Sequence, residues 1–133
     1  MAKVTMRAEF PCPVERVWRA VTDLERWDWR SDILGMWTGD GGRTFVELGR
    51  DRVRTYFQVT AFAPRCWYAV DMESEKLSGR WEGYFSSCGA GTRVEFTFEA
   101  RLKSRTLGLL ARTCLRRRQR QYIEDLRRAL EEE

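Results

Sequence analysis

Histidine is absent from the 133-residue chain. Without an imidazole, the sequence excludes Ser-His-Asp triads, Cys-His dyads and histidine-ligated metal sites. The cysteines are far apart and form no Cys-x-x-Cys pair, so we expect neither a metal nor another cofactor. Because a domain of this size does not need disulfide bonds, we interpret the cysteines as reduced, mostly buried thiols of a cytoplasmic protein. They are Cys12, Cys66, Cys88 and Cys114.

Long apolar runs are also missing. No stretch approaches the roughly 20 residues of a membrane-spanning helix. The first five residues alternate between polar and apolar types, which is not typical of a signal peptide. A composition of 43% hydrophobic and 13% aromatic residues excludes intrinsic disorder. The length predicts a single domain over residues 1–133.

Positive charge is concentrated in the last quarter of the chain. The net charge is +4, and residues 101–133 contain ten Lys or Arg against five Asp or Glu. A basic cluster of this kind can contact nucleic acid or an anionic membrane surface. We interpret it as a solvated helix face and expect no nucleic-acid partner. Contact with a protein or with the membrane periphery is the alternative.

The spacing of apolar residues predicts an α+β fold. Residues 3–10 alternate as a strand, and helical spacing then predicts two short helices near residues 13–31, the second capped by Asp23. Alternation returns at Ile33, and a helical pattern over 105–131 ends the chain. We therefore expect a seven-stranded curved antiparallel sheet wrapped around a long C-terminal helix, with a cavity between them. The six later strands are predicted at 33–39, 44–49, 53–63, 66–73, 77–88 and 92–103.

Local motifs add a family resemblance to this order of elements. The chain carries FPCPVERVW at 10–18, VTDLERWDW at 21–29, GTRV at 91–94 and DLRRALE at 125–131. These segments resemble the START-related (SRPBCC) superfamily of helix-grip proteins, which includes polyketide cyclase/dehydrase-like and lipid-transfer domains. The resemblance covers the whole chain and implies a deep pocket for an apolar small molecule. The resemblance does not identify the function of this chain, since the superfamily includes carriers, cyclases and chaperone-type proteins.

Aromatic side chains dominate the candidate ligand-binding residues. Trp81 alternates with Gly79 and Gly83, which would leave room beside an inward-facing indole, and the resemblance places Trp29 near the pocket mouth. Aromatic walls suit a flat or ring-bearing ligand. The alternative is that these rings only fill a small core. The candidates are Trp29, Phe57, Trp81, Phe96, Phe98, Leu115, Arg118 and Tyr122.

Arg118 is the one charged candidate. Projection of the last helix places it in the apolar stripe between Leu115 and Tyr122. A buried guanidinium needs a partner. Three outcomes stay open: contact with a carboxylate, phenolate or carbonyl of a ligand, an ion pair with Asp71 or Glu73, or extension to the rim.

These features favour a binding protein over an enzyme. No carboxylate pair or nucleophile motif stands out, and the glycines at 39–42 open no helix, so they form no phosphate loop. We expect a carrier or sensor, monomeric or homodimeric, for an apolar or aromatic small molecule or a lipid. One alternative is a metal-free polyketide aromatase/cyclase or lyase. The other is a protein- or membrane-interaction module that uses the basic C-terminal helix.

Overall fold

The period-two segments form a seven-stranded antiparallel sheet in the computed structural model, which describes residues 1–132. The sheet order is β1-β7-β6-β5-β4-β3-β2, so that β1 and β2 are the edges. The predicted antiparallel meander is therefore confirmed. The strands are β1 (Ala2–Phe10), β2 (Ile33–Gly39), β3 (Thr44–Gly49), β4 (Arg54–Ala63), β5 (Trp67–Glu73), β6 (Leu77–Cys88) and β7 (Gly91–Leu102).

Three helices accompany the sheet in the described residues: α1 (Val14–Thr22), α2 (Arg105–Gly108) and α3 (Ala111–Glu131), with one 3-10 turn at Asp40–Gly42. Pro13 precedes α1 with a φ of −59°, which suits a helix start. The predicted terminal helix is interrupted between Gly108 and Ala111. None of the helices in residues 1–132 has the length and apolarity needed to cross a bilayer.

The second short helix predicted after Asp23 is wrong. Residues 23–32, here named the cavity loop, form two successive turns. In the first, the Arg26 N–H donates to the Asp23 carbonyl (3.3 Å), and in the second the Arg30 N–H donates to the Trp27 carbonyl (2.9 Å). A helix this short is unstable without packing on one face. The cavity loop is instead fixed by side-chain bonds to β3 and α3, which outweigh its weak helical pattern.

Bulges curve the sheet. The register shifts in β2 between Ile33 and Gly35, and in β4 between Val59 and Ala61. An extra residue in one strand bends it and increases its twist. The concave face therefore wraps toward α3, which packs mainly on β1, β7 and α1. The concave surface of the remaining strands is left for other parts of the chain to cover.

Arg118 does not lie on the buried face of α3 as predicted. It is exposed, and Gln119 is buried in its place. Gln119 donates to the carbonyls of Phe96 (2.8 Å) and Val4 (3.2 Å) and accepts from the Trp81 indole N–H (3.2 Å). A neutral amide with all of these bonds can be buried at little cost, whereas a guanidinium there would need a carboxylate.

The cysteines differ in burial from the prediction. Cys12 is buried and Cys114 is half-buried, but Cys66 and Cys88 are exposed. Cys66 lies in the turn between β4 and β5, and Cys88 is the last residue of β6. Both positions are at the surface because connections between strands run over it.

Asp125 ties the cavity loop to α3. Its fully buried carboxylate accepts bonds from the N–H and hydroxyl of Ser31 (both 2.8 Å), from Gln121 (2.9 Å) and from Arg128 (2.7 Å). Burial alone would raise the pKa of Asp125. The donors, the Ser31 N–H first among them, more than offset burial and lower the pKa below its ordinary value.

Asp125→Asn should therefore destabilise the fold by roughly 1–3 kcal/mol at neutral pH, because the amide loses the charge-assisted bonds. A lowered folded pKa means that the carboxylate stabilises the native state above about pH 4, and that this contribution is lost as pH falls through the folded pKa. Urea unfolding at neutral and acid pH measures both effects. The variant should show a flatter acid dependence than the native chain.

Asp28→Asn is the matched control, since Asp28 is an exposed carboxylate of the same loop. It should unfold like the native protein at both pH values. Equal losses in the two variants would contradict the anchoring role of Asp125.

Candidate functional site

A cavity of about 120 Å³ lies between the concave sheet face and α3. Its walls come from α1, the cavity loop, strands β2–β7 and α3. Engineered apolar cavities of roughly 150 Å³ bind benzene. The volume therefore suits a ligand of about one ring without any movement of the walls.

Most of the predicted site residues meet at this cavity. Its lining includes Trp29, Phe57, Trp81, Phe98, Arg118 and Tyr122. Phe96 and Leu115 are fully buried behind the lining instead. The Phe96 ring supports the wall, with its centroid 4.9 Å from that of Trp81 and 5.7 Å from that of Tyr122.

Trp81 is the centre of the aromatic wall. Its ring centroid is 5.7 Å from that of Tyr122 and 6.5 Å from that of Tyr68. A Cβ at Gly83 would approach the Trp81 ring to 3.0 Å and the Phe96 ring to 3.2 Å, so a side chain there would press on both rings. Gly83 thus makes room for the indole, as the alternation in β6 predicts.

An ion-pair cluster forms the polar end of the cavity, with Arg30 and Glu47 largely buried and Asp32 at the surface. The Arg30 side chain, only 11% exposed, donates two bonds to Asp32 (2.8 and 2.9 Å) and two to Glu47 (3.1 and 3.2 Å). Its guanidinium carbon lies 5.0 Å from the ring centroid of Tyr122. Burial opposes the charge on Arg30, but the carboxylates of Glu47 and Asp32 outweigh it and raise the pKa. Arg30 is therefore permanently charged.

The sequence reasoning missed this cluster. Arg30 and Asp32 lay at the end of the predicted second helix, where charged residues are unremarkable. Glu47 gave a usable signal, because it alternates with Phe45 in β3 and so shares the inward face with it. A carboxylate on the apolar face of a strand needs a buried partner.

Two phenols face the cavity beside this cluster. Among the described residues, neither the Tyr68 nor the Tyr122 hydroxyl has a hydrogen-bond partner, and both tyrosines line the cavity. Burial, with the nearby Glu47 carboxylate, raises the pKa of Tyr68 to about 12. Burial also raises the pKa of Tyr122, although Arg30 opposes this. Both groups are neutral at physiological pH and can donate a hydrogen bond to a ligand oxygen.

Arg118 lies at the rim of the cavity. It is exposed, lines the mouth and lies near the Asp51 carboxylate. The predicted ion pair with Asp71 or Glu73 is wrong, because those side chains point away from the cavity and pair with Arg80 (3.4 Å) and Lys103. They share a strand with inward-facing Val70 and Met72 and so take the opposite face. Contact between Arg118 and a ligand stays a prediction.

A curved sheet that grips a C-terminal helix around an aromatic cavity defines a START-type helix-grip protein. Residues 1–131 match the family described as "Polyketide cyclase / dehydrase and lipid transport", and the chain belongs to that family. No curated protein matches it.

Solved structures share the fold at low sequence identity. A START superfamily protein from Mycobacterium smegmatis has a TM-score of 0.88 at 14% identity, over 98% of this chain and 97% of that chain. The protein XoxI from Bacillus cereus has a TM-score of 0.83 at 15% identity, over 97% and 95%. DynU16, a putative protein in the dynemicin biosynthetic locus, has a TM-score of 0.72 at 16% identity, over 97% of this chain and 47% of that one.

Glu47→Gln should destabilise the fold by roughly 1.5–3 kcal/mol, because it removes the charge-assisted bonds to Glu47 and leaves Arg30 with Asp32 as its one carboxylate. The matched control is Glu95→Gln, which breaks the exposed Arg7–Glu95 pair of 2.9 Å. That change should cost at most about 1 kcal/mol. Denaturant unfolding gives both free energies. Similar small losses would mean that Glu47 does not compensate the Arg30 charge.

Proposed function

We propose that this protein binds a small ring-bearing molecule in the cavity without transforming it, as a carrier or sensor. The observation that carries the proposal is the pair of neutral phenols, Tyr68 and Tyr122, unpartnered among the described residues of an aromatic-walled cavity. Among the described residues no buried side-chain N or O lacks a partner, so these two hydroxyls are open to the cavity, where a ligand oxygen can accept from them.

The charge of the polar end restricts the ligand further. Arg30 supplies one positive charge, and Asp32 and Glu47 supply two negative ones, so the cluster carries a net −1. Four N–H···O bonds already hold the guanidinium. A carboxylate placed at this polar end would meet excess negative charge, whereas a phenol or an aromatic ketone would meet donors and acceptors. Across the whole lining, Arg26, Arg30 and Arg118 balance Asp23, Asp32 and Glu47. We infer a neutral, oxygen-bearing aromatic ligand.

The same cluster supports binding over catalysis. A general base must reach a substrate proton and be free to accept it. Asp32 and Glu47 are each held by two bonds to Arg30, and to take a proton either would have to break the ion pair. The cavity is also well below the 300–1,000 Å³ typical of pockets for larger ligands, so a long polyketide chain would require the walls to open.

One observation favours a second candidate, an aromatase/cyclase. Two neutral phenol donors beside one cavity can polarise a carbonyl as oxyanion-hole donors do. The family description includes cyclases, and DynU16 is described as a protein of a biosynthetic locus. Conversion of a bound β-polyketone analogue, detected by mass spectrometry, would favour this function over a carrier.

The test of the binding function starts from native mass spectrometry of the purified protein, followed by calorimetry with p-cresol, acetophenone, toluene and benzoate. We expect p-cresol and acetophenone to bind more tightly than toluene, which lacks an oxygen, and than benzoate, which is charged. Tyr122→Phe should weaken acetophenone binding roughly 2- to 13-fold, the effect of one hydrogen bond.

Tyr84→Phe is the matched control, because the Tyr84 hydroxyl donates to Glu82 (3.3 Å) and does not line the cavity. It should leave the affinity unchanged. Absence of binding by every compound, with no retained ligand, would contradict the proposal. Equal effects of the two tyrosine variants would contradict the role of the phenols.

A further inference from the structure

A second surface of the molecule is unusually basic. Residues 101–120, here named the basic segment, contain eight Lys or Arg and no Asp or Glu. Lys103 pairs with Glu73. The seven arginines are all exposed, and five of them have no carboxylate of the described residues as a partner; Arg101 lies near Glu73 and Arg118 near Asp51. They are Arg101, Arg105, Arg112, Arg116, Arg117, Arg118 and Arg120.

Exposed leucines lie within this basic segment. α2 ends at Gly108 and α3 begins at Ala111, and the two residues between them project from the corner. Leu109 is 89% exposed and Leu110 is 55% exposed. Adjacent apolar side chains with this exposure gain free energy from any surface that removes them from water.

The arginines continue this surface along α3. Arg112, Arg116 and Arg120 follow one another at four-residue spacing, with Arg117 beside them, and all four are exposed. Residues four apart are neighbours on a helix surface. The buried side of α3 carries Leu115 and Gln119, Arg112 lies at its border, and Arg117 is farthest from it. The exposed side of the first half of α3 thus presents positive charge directly beyond an apolar tip, and its first carboxylate is Glu124.

We propose that the α2–α3 corner docks on an anionic lipid bilayer. Leu109 and Leu110 enter the interfacial region, and the arginines of the basic segment contact the headgroup phosphates. Charge complementarity carries the proposal, because unpaired arginines beside exposed leucines match an anionic surface over an apolar interior. Nucleic acid fits less well, since the basic segment has no aromatic residue on which a base could stack.

The α2–α3 corner lies near the cavity. Arg118 belongs to the basic segment and lines the cavity from the side of α3 opposite Arg116 and Arg120. It lies eight residues after Leu110, which is about 12 Å along a helix. A docked molecule therefore holds its cavity mouth close to the bilayer, so that an apolar ligand can enter from the lipid. This last step rests on the proposed binding function, whereas docking itself does not.

Flotation with vesicles tests the docking and needs no ligand. The probes are vesicles of phosphatidylcholine alone and of phosphatidylcholine mixed with phosphatidylglycerol. We expect binding only to the mixed vesicles, and weaker binding as salt is raised, since salt screens exposed charges. Absence of binding to anionic vesicles at low salt would overturn the proposal, while leaving the ligand calorimetry of the cavity unaffected.

Charge-matched variants locate the surface. Arg116→Gln/Arg117→Gln should weaken binding roughly 30-fold, because each arginine near an anionic surface contributes about a fivefold effect. The control Arg43→Gln/Arg54→Gln removes the same charge from exposed positions outside the basic segment and should change binding less than about threefold. Equal weakening in the two pairs would overturn the assignment.

Apolar variants test the leucines in the same assay. Leu109→Ser/Leu110→Ser should reduce vesicle binding at least tenfold, since two leucine side chains no longer enter the interface. The control Tyr56→Ser/Phe62→Ser removes exposed rings from the sheet and should leave binding unchanged. Unaltered binding of the leucine variant would overturn insertion. Displacement of the vesicles by single-stranded RNA at equal charge concentration would assign the arginines to nucleic acid and overturn the proposal.

Discussion

The ion pair of Arg30 with Asp32 and Glu47 is the interaction on which the cavity depends. α3 packs mainly on β1, β7 and α1, and one helix does not cover seven strands. The cavity loop covers part of the remaining concave surface. Arg30 bonds this loop to Glu47 of β3 through N–H···O contacts of 3.1 and 3.2 Å. Without that link, the loop would still be held by Asp125 and by Arg50, which donates to the carbonyls of Ser31 (2.6 Å) and Asp32 (3.0 Å).

The cost of burying the Arg30 guanidinium explains why two carboxylates surround it. Burying a guanidinium costs several kcal/mol, and one carboxylate rarely compensates that cost. Here two carboxylates and the Tyr122 ring surround Arg30. Apolar residues of similar volume could close the same gap. The ion pair instead gives the cavity a polar end beside Tyr68 and Tyr122, whose pKa values burial raises further above physiological pH.

The sequence predicted the parts of the fold that depend on periodicity. Seven alternating segments and one long helical pattern identify the sheet and α3, because each element buries one face. The short helix after Asp23 could not be excluded in this way, since the cavity loop is fixed by contacts with Glu47 and Asp125, which are distant in sequence. Local spacing carries no information about such contacts.

The error at Arg118 has a related cause. An apolar stripe that covers half of a helix leaves the rotation of the helix uncertain by one position. Whether residue 118 or 119 is buried then depends on hydrogen-bond partners, which no helical projection includes. Gln119 is the buried residue because it bonds to the carbonyls of Val4 and Phe96 and to the indole N–H of Trp81. The aromatic candidates on strands were easier to place, because alternation puts Phe57, Trp81 and Phe98 on one face of the sheet relative to their neighbours.

The residues that determine the fold differ from the residues that determine the chemistry of the cavity. Structures at 14–16% identity retain the sheet and the terminal helix with TM-scores of 0.72–0.88. Helix-grip architecture thus requires a pattern of apolar positions and tolerates wide changes in the residues that fill them. The polar end of the cavity requires particular residues, since replacing Glu47 removes one of the two carboxylates that compensate the Arg30 charge. The chemical character of the cavity therefore depends on a few side chains of the cavity loop, β3, β5 and α3, which the shared fold does not specify.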